Sequence, residues 1–309
     1  MMPNPIICLM GPTASGKTAL ALQLAKQLPV EIISVDSALV YRGMNKGTAK
    51  PTAAELAQVP HHLIDIRNPE EPYSAAEFAK DATLLVAEIQ ARGCIPLLVG
   101  GTMLYFKALQ QGLAPLPSAD LAVRAALEVD LATYGVEMLH QRLAAIDPES
   151  AARIHPHDPQ RIQRALEVYQ TTGQPLSALY AQQEVLAVKE MVNIGLMPQE
   201  RSLLHQRIAQ RFQAMLDAGF LDEVQQLYKH TALNADLPAM RAVGYRQAWA
   251  YLQGEYDLAS MQAKAVAATR QLAKRQMTWL RHWPAIQLFD CFAEDLVQQV
   301  DDFLRFLVK

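Results

Sequence analysis

The sequence predicts an α/β protein, in which helices flank a parallel sheet and an all-helical segment is inserted. Short apolar runs at residues 6–10, 30–35 and 95–99 are typical of strands buried on both faces. Helical periodicity lies between these runs, and strands that alternate with helices favour a parallel sheet. A long strand-poor region over residues 116–189 predicts the insertion.

The first elements alternate in the expected order. The run at residues 6–10 follows no basic segment, so we interpret it as a strand and not as part of a signal peptide. Residues 19–28 have a helical pattern that ends at Pro29. A second strand at residues 30–35 ends at Asp36.

A capping box marks the next helix. Ser74 is followed three residues later by Glu77, the reciprocal pair that opens many helices, and a helical pattern then runs to residue 91. The third buried strand, at residues 95–99, follows this helix and ends in two glycines.

The later chain changes in character. Proline pairs and helical periodicity replace the strands after residue 115, which predicts a core of residues 1–115 and 190–309 and an insertion of residues 116–189. A return strand is predicted at residues 191–197, and mainly helix from there to a last apolar run at residues 286–289.

Composition and charge exclude several protein classes. The 309 residues are 51% apolar and carry 28 Lys and Arg against 31 Asp and Glu, a net charge of −3. A disordered chain could not have this composition, and the length suits one large domain or two. Overall charge gives no sign of nucleic-acid binding, although a local basic patch remains compatible with it.

Cysteine use and apolar run lengths indicate the compartment. Cys8, Cys94 and Cys291 lie far apart and form no CxxC pair, which favours buried thiols in a reducing compartment over a disulfide framework or a zinc site. No apolar run reaches the length of a membrane span. We therefore expect a soluble cytoplasmic protein, a monomer, without a membrane partner.

A glycine-rich motif gives the first functional signal. It matches GxxxxGK[ST], the phosphate-binding pattern of ATP- and other nucleotide-binding proteins, with a strand before it and a helix after it. The resulting fold is that of a P-loop NTPase-like parallel sheet. Loop amides cradle phosphate oxygens, Lys17 neutralises the outer phosphate and Thr18 is placed to bind Mg²⁺. The residues are Gly11, Pro12, Thr13, Ala14, Ser15, Gly16, Lys17 and Thr18.

Asp36 follows the second strand and is the second signal. Ligands of open parallel sheets lie beyond the carboxyl ends of the strands, so Asp36 should share a cleft with the loop. Its carboxylate could accept a proton from a nucleophile that approaches the phosphates. The alternative is that Asp36 caps a turn together with Ser37.

The third strand ends without an acid. NTPases that position water or metal usually place Asp or Glu there, but this strand ends in Gly100, Gly101 and Thr102. The acid of Leu63-Ile64-Asp65 is a weaker substitute. The cleft is therefore expected to hold a phosphate group while something other than water attacks.

The C-terminal region contains a basic run. No acid lies between Asp257 and Asp290, and tryptophans are interleaved with the basic residues, as in surfaces that bind phosphate backbones and unstacked bases. The alternative is a solvated helix face with the tryptophans packed inward. Further basic clusters lie at residues 160–164 and 241–246. The run contains Lys264, Arg270, Lys274, Arg275, Trp279, Arg281 and Trp283.

His61 and His62 form the one adjacent histidine pair that suggests a metal site. Neighbouring side chains of an extended segment point to opposite faces, so we do not expect the pair to share one ion.

Taken together, these motifs resemble the tRNA dimethylallyltransferase (tRNA isopentenyltransferase) family. The similarity covers nearly the whole chain, and the combination is more specific than the glycine motif alone. Some family members carry a C-terminal zinc finger, whereas this chain lacks the cysteines for one and looks like the compact bacterial type. The similar stretches are residues 11–18, 36–41, 99–105, 160–167, 241–246 and 270–281.

The resemblance implies transfer of a dimethylallyl group from dimethylallyl diphosphate to the exocyclic amine of the adenine 3′ to the anticodon. It implies that Asp36 is the acceptor for that amine and that Thr102 contacts the same adenine. Lys17 and Mg²⁺ would neutralise the leaving diphosphate. The tRNA contacts implied are Asp36, Ser37, Ala38, Leu39, Thr102, Arg124, Gln160, Arg161, Ile162, Gln163, Arg164, Arg241, Ala242, Val243, Gly244, Tyr245, Arg246, Lys274, Arg275, Gln276, Met277, Thr278, Trp279, Leu280 and Arg281.

Three other functions stay open on the residues alone. A P-loop small-molecule kinase would explain the glycine motif and Asp36, but it would leave the basic run and the insertion unexplained. A prenyltransferase of free adenine nucleotides would need no RNA groove. A nucleotide-switched RNA-binding module would turn over slowly. The residues of the allyl pocket cannot be picked from the sequence.

Overall fold

The predicted α/β class is correct. The computed structural model describes residues 4–114, 116–182 and 191–305, and within them six strands form one parallel sheet in the order β3-β2-β4-β1-β5-β6. The chain folds as two compact units, Met1–Gln110 with Val188–Lys309 and Gln111–Ala187. The strands are β1 Ile6–Met10, β2 Val30–Val35, β3 His61–His62, β4 Ile95–Gly100, β5 Met191–Met197 and β6 Ile286–Asp290.

The sheet lies in the first unit and is covered on both faces. Alternate residues of β1 point to different cores, because side chains of a strand alternate between faces: Cys8 and Met10 to one, Ile7 and Leu9 to the other. All four are fully buried. The helices of this unit are α1 Lys17–Ala25, α2 Ala53–Leu56, α3 Ala75–Ala91, α4 Met103–Gln111, α9 Arg201–Asp217, α10 Phe220–Tyr228, α11 Tyr245–Leu252, α12 Leu258–Arg281 and α13 Leu296–Arg305.

Helices α1 and α13 cover the face of Ile7 and Leu9, and the cluster on the other face includes residues of α3, α4, α11 and α12. The predicted capping box is present, since the Ser74 hydroxyl accepts from the Glu77 amide and the Glu77 carboxylate accepts from the Ser74 amide. The strand predictions at 30–35 and 191–197 are confirmed.

The bounds predicted for α1 are wrong at both ends. The helix begins at Lys17, two residues early, because Gly16 is its N-cap. It ends at Ala25 and not at residue 28, and the last three residues form hydrogen-bonded turns. Leu28 precedes Pro29, and a residue before proline is disfavoured in helical conformation, which draws the end of the helix back.

The second unit is helical. Its elements α5 to α8 bury a separate cluster that includes Leu127, Leu143, Ile162 and Leu166. The longest, α5, is interrupted at Gly135, whose φ of 78° and ψ of 166° break the helix into two. The bounds are α5 Leu121–Ile146, α6 Pro148–Arg153, α7 Pro159–Thr172 and α8 Leu176–Ala181.

Among the helices of the described residues, none combines the length and the apolar character needed to cross a bilayer.

Candidate active site

The glycine loop, residues 11–18, connects β1 to the first turn of α1. Gly16 has a φ of 85°, in the left-handed region that favours glycine, and Ala14 has a φ of 65°. The amide of Ser15 donates to the carbonyl of Pro12 at 3.2 Å. The loop thus curls immediately before a helix N-terminus, where backbone amides and the helix dipole favour an anion.

Lys17 lies in this loop with its ammonium folded toward the backbone. Its Nζ donates to the carbonyl oxygens of Gly11 at 2.9 Å and Pro12 at 2.7 Å. Burial, followed by nearby Arg211, lowers the pKa of Lys17 from its ordinary 10.5 to about 7, while Asp36 acts to raise it. The charge of Lys17 therefore depends on pH close to neutrality.

Asp36 and Thr102 end neighbouring strands and lie at the same edge of the sheet. The Oδ1 atom of Asp36 accepts from the amides of Ala38 at 2.8 Å and Leu39 at 3.3 Å, so the carboxylate does cap a turn. In the described part of the chain Oδ2 accepts no hydrogen bond, and the cap is therefore compatible with a role as base. The hydroxyl of Thr102 accepts from the amide of Ser37 at 3.1 Å.

A close backbone approach joins these two strand ends. Val35 pairs with Gly100 in the register of β2 and β4, and a Cβ on Gly100 would overlap the carbonyl of Val35. Only glycine allows this approach. The amide of Thr102 then donates to the Val35 carbonyl at 3.2 Å, which sets Thr102 beside the residue after β2, Asp36.

Two arginines of α9 add positive charge that the sequence analysis missed. Arg207 and Arg211 are four residues apart and so share one helix face. A Cβ on Gly16 would lie 3.8 Å from Nη1 of Arg207, which places that guanidinium against the loop. Burial lowers the pKa of Arg211, Asp36 raises it and Arg207 lowers it. In the sequence, the only sign of this arginine pair was its spacing of four residues, which is common on solvated helices.

Gln276 of α12 links the loop to the end of β4. Its Oε1 accepts from the amide of Thr13, and its Nε2 donates to the carbonyl of Gly101, both at 2.9 Å. Gln276 is buried. The following residue, Met277, packs with Ala14 in a small apolar cluster between α9 and α12. This predicted tRNA contact holds the loop in place instead of facing solvent.

Asp65, the possible substitute for a strand-end acid, is paired. Its carboxylate accepts from the Nζ of Lys50, whose side chain is only 5% exposed, in a short ion pair. Lys50 also donates to the carbonyl of Tyr41 at 2.8 Å. A carboxylate engaged by a buried ammonium is a poor general base, which leaves Asp36 as the candidate.

The C-terminal basic stretches divide into exposed and buried residues. Trp279 is 40% exposed, whereas Trp283 is packed against Phe106 with ring centroids 6.4 Å apart, so the inward packing of the alternative interpretation is seen for Trp283 and not for Trp279. In residues 241–246 and 274–281 the exposed residues are Arg241, Arg246, Lys274, Arg275, Thr278, Trp279 and Arg281, and Lys264 and Arg270 of the same run are exposed too. The buried ones are Gly244, Tyr245, Gln276, Met277 and Leu280, and Ala242 and Val243 are half-buried.

Two of the predicted tRNA contacts in the second unit, Arg124 and Arg164, bind one buried carboxylate. Glu167 accepts from Nε of Arg124 at 2.9 Å and from Nη1 of Arg164 at 2.8 Å. Burial acts to raise the pKa of Glu167, but these two arginines and the amide of Asp120 lower it overall. Arg124 remains 48% exposed. On α7, Gln160 and Arg161 are exposed, Gln163 is half-buried and Ile162 is buried.

The histidine pair does not share a ligand. His61 Nδ1 contacts the carbonyl of Val59 at 2.8 Å, and His62 Nε2 contacts the Glu31 carboxylate at 2.7 Å. Within residues 4–114, 116–182 and 191–305, no group of three or more His, Cys, Asp or Glu could hold a metal ion. The three cysteines are free.

Comparison with known proteins identifies what this arrangement resembles. The family model described as IPP transferase matches residues 39–283. The chain is 59% identical over 292 residues to a tRNA dimethylallyltransferase of Thiobacillus denitrificans, which covers 94% of this chain and 93% of that protein. It is 57% identical over 307 residues to a tRNA dimethylallyltransferase of Coxiella burnetii, with 99% of both chains covered.

Solved structures agree in fold. The full-length tRNA isopentenylpyrophosphate transferase of Bacillus halodurans superimposes with a TM-score of 0.72 at 39% identity, covering 99% of this chain and 97% of that one. A eukaryotic dimethylallyltransferase, described as acting on tRNA, superimposes with a TM-score of 0.80 at 26% identity, covering 97% of this chain and 79% of that one.

Proposed function

The chain belongs to the IPP transferase family, and we propose that it transfers a dimethylallyl group from dimethylallyl diphosphate to the exocyclic amine of the adenine 3′ to the anticodon in tRNA, with release of diphosphate. The observation that carries this proposal is the position of Asp36 at one sheet edge with Thr102 and the glycine loop. A carboxylate beside an anion site suits a reaction in which an amine displaces a diphosphate. The names of the two bacterial relatives support the choice of tRNA as acceptor.

The glycine loop would bind the diphosphate. The amides at the start of α1 supply hydrogen-bond donors, and Lys17, Arg207 and Arg211 supply positive charge within a partly buried site. As the bond between the allylic carbon and the diphosphate oxygen breaks, its electron pair leaves with the diphosphate. The loop amides, which are already in place, stabilise this growing charge without reorganisation.

Asp36 would accept the proton of the amine. An aromatic amine is a weak nucleophile because its lone pair is delocalised into the ring. As the new carbon–nitrogen bond forms, the nitrogen gains positive charge, and a carboxylate within reach takes up the proton that it loses. Thr102, whose hydroxyl lies beside the same turn, would contact the adenine and hold the amine against Asp36.

Thr18 would contribute to a Mg²⁺ site. Mg²⁺ commonly binds through one or two protein oxygens, substrate phosphates and waters, and needs no all-protein cage. The donor set fits, since the exposed Thr18 follows Lys17 in the first turn of α1. When bound, the ion would neutralise charge on the leaving diphosphate.

Basic surfaces of both units would bind the tRNA. The exposed residues Lys274, Arg275 and Arg281 of α12 can reach phosphates, and exposed Trp279 offers a ring for a base. The target adenine must leave its stack, which costs a few kcal/mol, and backbone contacts offset that cost. The buried members of the predicted tRNA set would act by shaping these surfaces. A cytoplasmic, monomeric enzyme remains part of the proposal.

The test is label transfer from radioactive dimethylallyl diphosphate, with unmodified tRNA and adenosine monophosphate offered separately, beside γ-labelled ATP as an alternative donor. The proposal predicts label in tRNA that requires Mg²⁺, and none from ATP. Label in the mononucleotide alone would keep the chemistry and refute the acceptor. Transfer from ATP alone would make the chain a kinase and refute both.

A further inference from the structure

Glu223 of α10 is a buried carboxylate that the proposed chemistry does not use. Its Oε2 accepts from the amides of Asn45 at 2.9 Å and Lys46 at 2.8 Å, and its Oε1 accepts from the amide of Gly47 at 3.3 Å. The hydroxyl of Tyr245 donates to the same Oε1 at 2.5 Å. One side chain thus satisfies three consecutive backbone donors that are about 176 residues away in sequence.

These contacts fix a loop that has no strand or helix of its own. Gly47 packs so closely on Phe220 and Tyr245 that a Cβ there would overlap both rings. Burial raises the pKa of Tyr245, and Glu223 raises it further, so the phenol stays protonated and remains a donor. Buried polar groups in such a network are costly to leave unpaired, which makes the position of the loop well defined.

The anchored loop leads directly to the proposed diphosphate site. The carbonyl of Thr48, the residue after Gly47, faces Nη2 of Arg211 at 3.5 Å. Among the described residues, this carbonyl accepts the hydrogen bond that the Arg211 guanidinium donates. Arg211 in turn interacts electrostatically with Lys17 and Asp36. A cleft of about 560 Å³ lies between the anchored loop and α9, lined by Arg211 and by loop residues that include Asn45, Lys46 and Lys50. Its lining includes no residue of the glycine loop.

We propose that Glu223 is a positioning residue for the diphosphate site. With Tyr245 it fixes the backbone of residues 45–47, and this sets the Thr48 carbonyl that orients the Arg211 guanidinium. The inference rests on the proposed function in one respect, that the anion bound beside Lys17 and Arg211 is the diphosphate of the donor. The buried Tyr245, expected from the resemblance to contact tRNA, acts here through the loop.

The test is a double-mutant cycle on affinity for inorganic diphosphate with Mg²⁺. Glu223→Gln keeps the shape of the side chain but turns an NH₂ group toward backbone donors. We expect it to weaken diphosphate affinity by about tenfold and to leave tRNA affinity within about twofold. In an Arg211→Gln background the same change should have little further effect, because interacting residues are not additive.

A general loss of structure would give another pattern. Glu31→Gln removes a carboxylate of similar burial at the far end of β2 and serves as the matched control. It should leave diphosphate affinity unchanged. If Glu223→Gln gave normal affinity, or losses that add to those of Arg211→Gln, the proposal would be refuted.

A second variant decides the matter if Glu223→Gln does not fold. Tyr245→Phe removes one donor from the carboxylate and keeps the ring packed on Gly47 and Phe220. We expect a loss of about threefold in diphosphate affinity that is absent in the Arg211→Gln background. An equal loss in both backgrounds would contradict the proposal. Because the probe is diphosphate and not prenyl transfer, failure of the proposed function would be seen separately, in the tRNA assay.

Discussion

The amide of Thr13 donates to Oε1 of Gln276 at 2.9 Å, a contact between residues 263 positions apart in the chain. The other end of the same side chain donates to the carbonyl of Gly101. One glutamine therefore ties the glycine loop to the end of β4, just before Thr102. This tie sets the position of the glycine loop, the proposed diphosphate site, relative to Thr102, the proposed adenine contact.

Removal of the Gln276 contacts should impair catalysis. It should leave the charge of the proposed tRNA-binding surface unchanged, because glutamine is neutral. Gln276→Ala leaves the partly buried Thr13 amide and the buried Gly101 carbonyl unpaired, at a cost of about 1–3 kcal/mol each where no water enters. We expect a fall of about tenfold or more in kcat and a lower Tm, measured by steady-state transfer and by calorimetry. A Gln276→Ala variant with normal turnover would show that loop and strand end need no such link.

The exposed Arg275 and Arg281 lie on the same helix as Gln276, α12, and their substitution should weaken tRNA binding. Arg275→Ala and Arg281→Ala each remove one proposed phosphate contact, so tRNA affinity should fall about three- to tenfold and the salt slope by about 1. Diphosphate affinity should stay as it was. Lys26→Ala, which removes one exposed charge at the C-terminal end of α1, is the matched control. A loss of affinity that does not vary with salt would indicate packing.

The charge of Lys17 gives a pH dependence. Burial, followed by Arg211, lowers its pKa to about 7. Since the ammonium form attracts the anion, affinity for inorganic diphosphate should decline as pH rises through about 7. In Arg211→Gln the affinity is lower, but its decline should move to higher pH, because one source of the lowered pKa is gone. The measurement is a calorimetric titration of both proteins over the same pH range. The ionisation of diphosphate itself affects both profiles equally, so the difference between them reports on the protein. Identical profiles would exclude coupling between Lys17 and Arg211.

Glu31 gives a stability dependence at acid pH. Hydrogen bonds from Arg92, followed by the contact with His62, lower the pKa of Glu31 to about 2 against the effect of burial. The folded pKa lies below the ordinary 4.5, so the stabilisation is complete above pH 4.5 and is lost as the pH falls toward 2. A shift of this size sets an upper bound of about 3 kcal/mol at pH 7, which solvent screening reduces because the Arg92 side chain is 47% exposed. Urea unfolding of Glu31→Gln should show this deficit at pH 7 and a smaller one at pH 3. A deficit that is constant with pH would refute the assignment.

Local patterns predicted the sheet and the loop well. The strands at residues 30–35 and 191–197 and the helix that begins after Ser74 follow from apolar runs and a capping pair, which are signals within a few residues. The bounds of α1 were less predictable, because Gly16 and Pro29 act on its ends from outside the periodic segment.

Contacts between elements that lie far apart in the chain could not be predicted from the sequence. Arg207, Arg211 and Glu223 lie on ordinary amphipathic helices, and nothing nearby in sequence distinguishes them from solvated residues. The basic run on α12 was visible, but which of its residues face the loop depends on the packing of α9 and α12 around Ala14. For Asp36 the sequence left two roles open, and the geometry is compatible with both.

The most direct test of the account is single-turnover transfer by Asp36→Asn, with dimethylallyl diphosphate and tRNA already bound. An amide keeps the turn cap through its carbonyl oxygen but cannot accept the proton of the amine. Asp36→Asn should leave the affinity for diphosphate and tRNA unchanged and lower the transfer rate by about 10²-fold or more. A rate within about twofold of the unsubstituted enzyme would contradict the role of Asp36 as the proton acceptor.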